Sequence, residues 1–253
     1  IPYGVFLAFF VAAPLIVLFY YAFTNGSGQF TLNNLKNFFV DPNTMGTLCY
    51  SIVLAVTVTL VCLVIAYPVA YILAGSALKR KGVILMLFVL PMWINFTLRI
   101  TALKEIISLI EGNLAFHPFL NTVIGMTYDF LPFMILPIYT AMTKIDDSII
   151  EAAQDLGCNV WHILFRVLVP LTGPGIATGI TQVFVPAVST FIISRMLGGG
   201  SNLLIGDLIE LQFLGNSYNL NLGSAMSLVL MVIVLLCMSF TSSFDESEME
   251  GVM

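Results

Sequence analysis

The stretch LCYSIVLAVTVTLVCLVIAYPVAYIL, from Leu48 to Leu73, contains no charged side chain. It exceeds the ~20 residues with which an α-helix crosses ~30 Å of hydrocarbon, and is far longer than the ~10 residues of a transmembrane β-strand. Comparable apolar runs lie outward from it on both sides, at Tyr3–Phe23, Val83–Leu103, Thr122–Thr143, Ile163–Met196 and Leu222–Phe240. Together they predict an all-α, polytopic membrane protein with about six transmembrane helices. Composition agrees: the 253 residues are 59% hydrophobic and 9% charged, with a mean hydropathy of +1.00. A soluble domain carries about 25% charged residues.

Composition also excludes several classes. The nine Lys and Arg form no patch for nucleic acid. Cys49, Cys62, Cys158 and Cys237 have neither metal-ligand nor disulfide-framework spacing and read as small apolar fillers. His117 and His162 stand alone, so no metal site is expected. No paired acids or nucleophile arrangement points to catalysis. The run Val5–Phe23 is longer than a signal h-region and lacks a small-residue cleavage site, which predicts a retained span. Residues 1–240 form the membrane domain. Residues 241–253, with Asp245, Glu246, Glu248 and Glu250, read as an acidic, disordered tail.

The short loop Lys79-Arg80-Lys81 predicts a cytoplasmic side. Two crossings later the chain returns to that side, so Lys144 and the polar stretch after it are cytoplasmic too, as are both termini. That stretch, 144–166, is conspicuous in so apolar a chain. Ser148-Ile-Ile-Glu151 reads as a capping box. Gly157 stands where a left-handed C-cap is expected, and Asn159 can cap a second short helix from Val160 to Arg166. The expectation is a helix–turn–helix at the membrane surface, with alanines that permit close approach by another protein.

Glu151-Ala-Ala-Gln-Asp-Leu-Gly157, then Val169-Pro170 and a long apolar run, resembles the coupling loop of ABC importer permeases. The resemblance implies that Glu151, Ala152, Ala153, Asp155 and Gly157 dock on a cytoplasmic ATPase, a role compatible with capping. It covers nearly the whole chain. Pro91-Met-Trp93 with Leu98-Arg99-Ile100, Leu131-Pro132-Phe133-Met134 with Pro137-Ile-Tyr139, Pro186-Ala187, Leu197-Gly198-Gly199, Leu204-Ile205-Gly206 and Gln212-Phe213 fall in the order seen in B-type permeases of spermidine/putrescine importers. Ser189-Thr190 and Arg195 depart from that pattern.

The implied partners are a second permease subunit, two copies of an ATPase that holds ATP and Mg, and an extracytoplasmic binding protein. This chain would hold no cofactor, since it has no Walker A sequence. The mechanism implied is alternating access in a bacterial inner membrane. A polycation path needs carboxylates and aromatic faces. Asp129 inside the fourth run, with Tyr128 beside it, is one candidate, and Trp93 and Tyr139 could line the same route. Asp129 reads equally as the partner of Arg99 or Arg195 in a helix-packing ion pair, and the aromatic residues as packing or interface groups. Glu105, Glu111, Asp207 and Glu210 fall toward the outer face, as cation-attracting groups, docking contacts or a solvated surface. Other cargoes (iron, thiamine, sulfate, a phosphonate) use the same machinery. An autonomous channel or secondary transporter leaves the 151–157 loop unexplained. Prolines inside the spans fit either a gating role or ordinary membrane helices, and no pair of broken helices is evident.

Overall fold

A computed structural model describes residues 2–75, 81–200, 202–215 and 218–250. Lys79 and Arg80, on which the orientation reading rests, lie outside them. Among the described residues the chain forms helices and a single isolated β-bridge, Thr24 to Phe30. Four helices are long and apolar enough to cross a membrane: α1 (Tyr3–Ala22), α3 (Pro42–Gly75), α6 (Pro118–Met142) and the first part of α12 (Leu220–Glu250). A short helix, α2 (Asn33–Val40), precedes α3. Two further spans are broken, which raises the number of crossings to six if each bent pair is one span. The first pair is α4 (Lys81–Trp93) and α5 (Phe96–Glu111), bent by 96°. The second is α8 (Val160–Leu171) and α9 (Gly173–Ser189), bent by 71°. The sequence reading of continuous third and fifth spans is corrected here. Between the long elements lie α7 (Asp147–Asp155), α10 (Ile192–Leu197) and α11 (Ile205–Leu214).

Each irregularity has a local cause. Pro14 and Pro170 lack an N–H and crowd the carbonyl four residues back. Each follows an i→i+5 turn, Ala8–Ala12 and Leu164–Leu168, that accommodates the disturbance. Pro91 lies in the 3₁₀ turn Leu90–Trp93, after which α4 stops. The Asn95 side chain then caps α5 by accepting from the N–H groups of Thr97 and Leu98 at 3.0 and 3.3 Å. The last carbonyls of α1 are satisfied by side-chain amides. Asn34 donates to Ala22 and Thr24, and Asn221 donates to Tyr21 and Thr24.

The core is a three-helix contact of α3, α6 and α9. Along α3 the buried series Ala55, Val58, Cys62, Ala66 and Ala70 recurs at helical spacing, and its small members let α6 approach with Met126, Met134, Ile135 and Ile138. On α9, Gly175 and Gly179 do the same. A Cβ on Gly175 would lie 2.6 Å from the Ala141 Cβ and 2.7 Å from the Pro137 carbonyl oxygen, and one on Gly179 would lie 2.7 Å from the Met134 sulfur. α12 continues as helix through Glu250, where the sequence reads as a disordered tail. Once a helix is nucleated, adding residues costs little, and after Gly223 no glycine or proline occurs before Gly251.

Gly175→Val should separate α9 from α6. Overpacking of this kind costs about 1–3 kcal/mol, so the detergent-solubilised protein should unfold at a lower temperature than wild type, while Gly46→Ala, in open space within α3, should not lower it.

Candidate functional site

The polar hairpin after α6 is built from its caps. Asp146, not Ser148, is the N-cap of α7: its carboxylate accepts the Ser148 backbone N–H at 2.9 Å. Hydrogen bonds from Ser148 hold the Asp146 carboxyl below the usual carboxylate range. Both residues are good caps, but a carboxylate also meets the positive end of the helix dipole, and the helix begins at the stronger site. The predicted Ser148–Glu151 capping box is therefore replaced, and Glu151 is free of that task. At the other end Gly157 has φ +78°. The Cys158 N–H reaches the Ala153 carbonyl at 3.1 Å and the Gly157 N–H reaches that of Gln154 at 2.8 Å. This Schellman pair closes the helix and reverses the chain. Asn159 then caps α8 as expected, accepting the His162 N–H at 2.8 Å.

The hairpin has a small core of its own: Ala153, Ile163 and Leu168, flanked by Ile145, Ile150 and Val167. Ala153 thus faces inward, whereas Glu151, Ala152, Asp155 and Gly157 are exposed. Sequence reasoning missed what adjoins them. Leu156 is 85% exposed, and Trp161 stacks on Phe165 with ring centroids 6.0 Å apart, both also exposed. A leucine closing a polar helix was the available signal. The result is a knob with four exposed acids, Asp146, Asp147, Glu151 and Asp155, a small residue and an apolar rim.

The other candidate residues fall into separate places. Asp129 and Arg99 form a buried ion pair between α6 and α5. The guanidinium also lies 5.8 Å from the Tyr128 ring centroid. Trp93 stands 88% exposed at the α4–α5 break. Tyr139 packs half-buried against the main core, ten residues and about 15 Å of helix away from Asp129. Among the acids expected toward the outer face, Glu105 is exposed. Glu111 accepts from the Asn121 amide at 2.8 Å and meets His117 at 3.5 Å. Asp207 and Glu210 are gathered by one cation, Arg195, which bonds to Glu210 and lies 3.2 Å from the Asp207 Oδ1. No cluster of three or more His, Cys, Asp or Glu suited to a metal occurs among the described residues.

The family described as "Binding-protein-dependent transport system inner membrane component" matches residues 66–245. The chain belongs to this family. As a binding-protein-dependent inner membrane component it is a multi-pass transmembrane subunit of an ABC importer, working with a binding protein and an ATPase. Its relatives include the spermidine/putrescine transport system permease protein PotB of Haemophilus influenzae, 36% identical over 91% of this chain and 87% of the relative. PotB of Escherichia coli is 36% identical over 81% and 79%. The Escherichia coli inner membrane ABC transporter permease protein YdcU is 26% identical over 84% and 75%. A crystal structure of a bacterial ABC transporter that imports the acidic polysaccharide alginate superposes with a TM-score of 0.77 at 15% identity, covering 98% of this chain and 93% of that one. That likeness establishes the fold of the importer component.

Removing one partner of a buried ion pair costs about 3–5 kcal/mol, whereas replacing both with apolar groups is often neutral. Asp129→Asn should therefore lower the yield and unfolding temperature of the purified protein, and Arg99→Met combined with Asp129→Leu should recover most of both. An Asp129→Asn protein as stable as wild type but defective in transport would place Asp129 on the substrate route instead.

Proposed function

We propose that this chain carries a polyamine of the spermidine/putrescine type across the inner membrane, as the non-catalytic permease subunit of an ATP-driven importer. The observation that carries the reading is the 36% identity to the spermidine/putrescine permeases, maintained over 91% of the chain. The chain pairs with a second permease subunit, receives cargo from an extracytoplasmic binding protein, and rests on two ATPase copies that hold ATP and Mg. The α7 hairpin is the cytoplasmic coupling element, which places both termini in the cytoplasm. Glu151 and Asp155 offer the ATPase two carboxylates, Ala152 between them allows close approach, and Leu156 is an apolar anchor; Gly157 turns the chain at the surface and Ala153 packs inside the knob.

In this mechanism ATP closes the two ATPases, and their motion moves the knob. Because the knob has its own core and runs through α8 into α9, it moves as one body. The spans then exchange outward-facing for inward-facing packing. ATP drives the cycle to the extent that its binding free energy differs between the two arrangements.

Glu151→Lys and Leu156→Glu should leave the spans folded yet detach or uncouple the ATPase, seen as lost co-purification or as ATP hydrolysis without uptake. ATP hydrolysis by the reconstituted complex should rise when its binding protein carries spermidine or putrescine, and not when it carries ferric iron or thiamine. Stimulation by one of those ligands alone would falsify the polyamine assignment and keep the importer.

A further inference from the structure

A cavity of about 450 Å³ opens between α9, α11 and α12. Its wall carries one ionisable side chain, Glu210 of α11. Around it stand Phe191, Ser189 and Ser227, and an apolar lining that includes Met231 and Val234 of α12. An apolar trough with a carboxylate at one point is complementary to an organic ammonium on a methylene stem. A metal ion is a poorer match, since no group of three or more ligating side chains suited to one exists among the described residues.

The resident cation shows how the site could be taken. Arg195 bonds to Glu210, lies 3.2 Å from the Asp207 Oδ1, and sits 5.6 Å from the Phe191 ring centroid. It uses the same carboxylate and the same aromatic ring that an ammonium in the cavity would use. Its side chain is half-exposed, whereas Asp207 is fully buried. One Asp207 oxygen, Oδ2, is engaged by the Leu204 N–H at 2.9 Å and the Ser194 hydroxyl at 2.7 Å. The other, Oδ1, has no well-aligned hydrogen bond and faces only the Arg195 guanidinium, in an ion pair. Arg195 already lies beside this oxygen, so it can align on Oδ1 when it gives up Glu210. The three side chains sum to one negative charge, and one arriving ammonium neutralises the set.

We propose that this cavity binds an ammonium end and adjoining methylene stem of a diamine or polyamine, with Glu210 taking the ammonium as Arg195 shifts wholly onto Asp207. The proposal rests on the polyamine reading above and locates a substrate contact within it. Sequence alone offered Glu210 only as one of several outer acids. The fold brings it to Ser189 and Phe191 at the end of α9 and to Ser227 of α12.

The test uses the whole complex, both permease subunits and the ATPases in lipid nanodiscs, without binding protein and with radiolabelled spermidine and putrescine. Two variants address the site. Glu210→Gln keeps an oxygen for Arg195 but loses the charge, and Met231→Trp fills the cavity. Each should weaken retention of both amines about tenfold, the scale of one charge-assisted hydrogen bond, in complexes that assemble as wild type does. Should Met231→Trp fail to assemble, Val234→Phe serves the same purpose. Undiminished retention in assembled Glu210→Gln complex overturns the site, and so does a cavity occupied by a lipid chain whose displacement leaves amine retention unchanged. In either case ATP hydrolysis stimulated by polyamine-loaded binding protein still upholds the cargo. Absence of that stimulation in wild type removes the cargo reading and this proposal with it.

Discussion

Within hydrocarbon a peptide N–H or C=O has no water to turn to, and an unmet group costs several kcal/mol. Three departures from continuous helix among the described residues are governed by that constraint. α5 can start at a 96° bend because the Asn95 side chain receives two of its first N–H groups. The α8–α9 bend is closed by Thr172, which is fully buried. Its hydroxyl donates to the Leu168 carbonyl at 2.7 Å and stands 3.3 Å from the Tyr67 hydroxyl on α3. The end of α1 is met by Asn34 and Asn221. Remove these short polar side chains, and the breaks that aim α5 and α9 lose their support.

The second organising feature is the shortage of bulk where helices cross. Lipid is as apolar as leucine, so burial of greasy surface gives little drive for one span to prefer another. Dispersion contacts at short range and a few polar bonds decide instead. α6 is the hub of such contacts. It meets the small-residue series of α3, accepts Gly175 and Gly179 of α9, and gives Gly125 to Leu197 of α10. Its link to α5 is electrostatic, through Asp129 and Arg99. That pair accounts for one of the few charges inside an apolar run without assigning it to transport.

How far the residues announced this arrangement follows from the range of each interaction. Apolar run length is a local quantity, and it located the spans of α1, α3, α6 and α12. Gly157 and Asn159 were legible because the conformations they permit are set within a residue or two. The N-cap was missed by two positions, because Asp146 and Ser148 satisfy the same rule and only the carboxylate's extra charge separates them. The broken spans were hidden in hydropathy, which does not register Asn95 or Thr172 as chain reversals. Choosing Arg99 rather than Arg195 for Asp129 required knowing which helices touch, and a contact across 30 positions leaves no periodic trace. The site around Glu210 was obscured for the same reason.

The hairpin's internal core has a mechanical corollary. Ala153, Ile163 and Leu168 lock α7 to the first turns of α8, so a load on α7 does not dissipate within the knob. It travels down α8 to Thr172, where the axis turns by 71°. An arm fixed to a shaft through an elbow is a crank. In the coupling role proposed above, a sideways displacement of the knob becomes a swivel of α9 about its own pivot, and the Gly175–Gly179 seam against α6 is where that swivel meets its bearing.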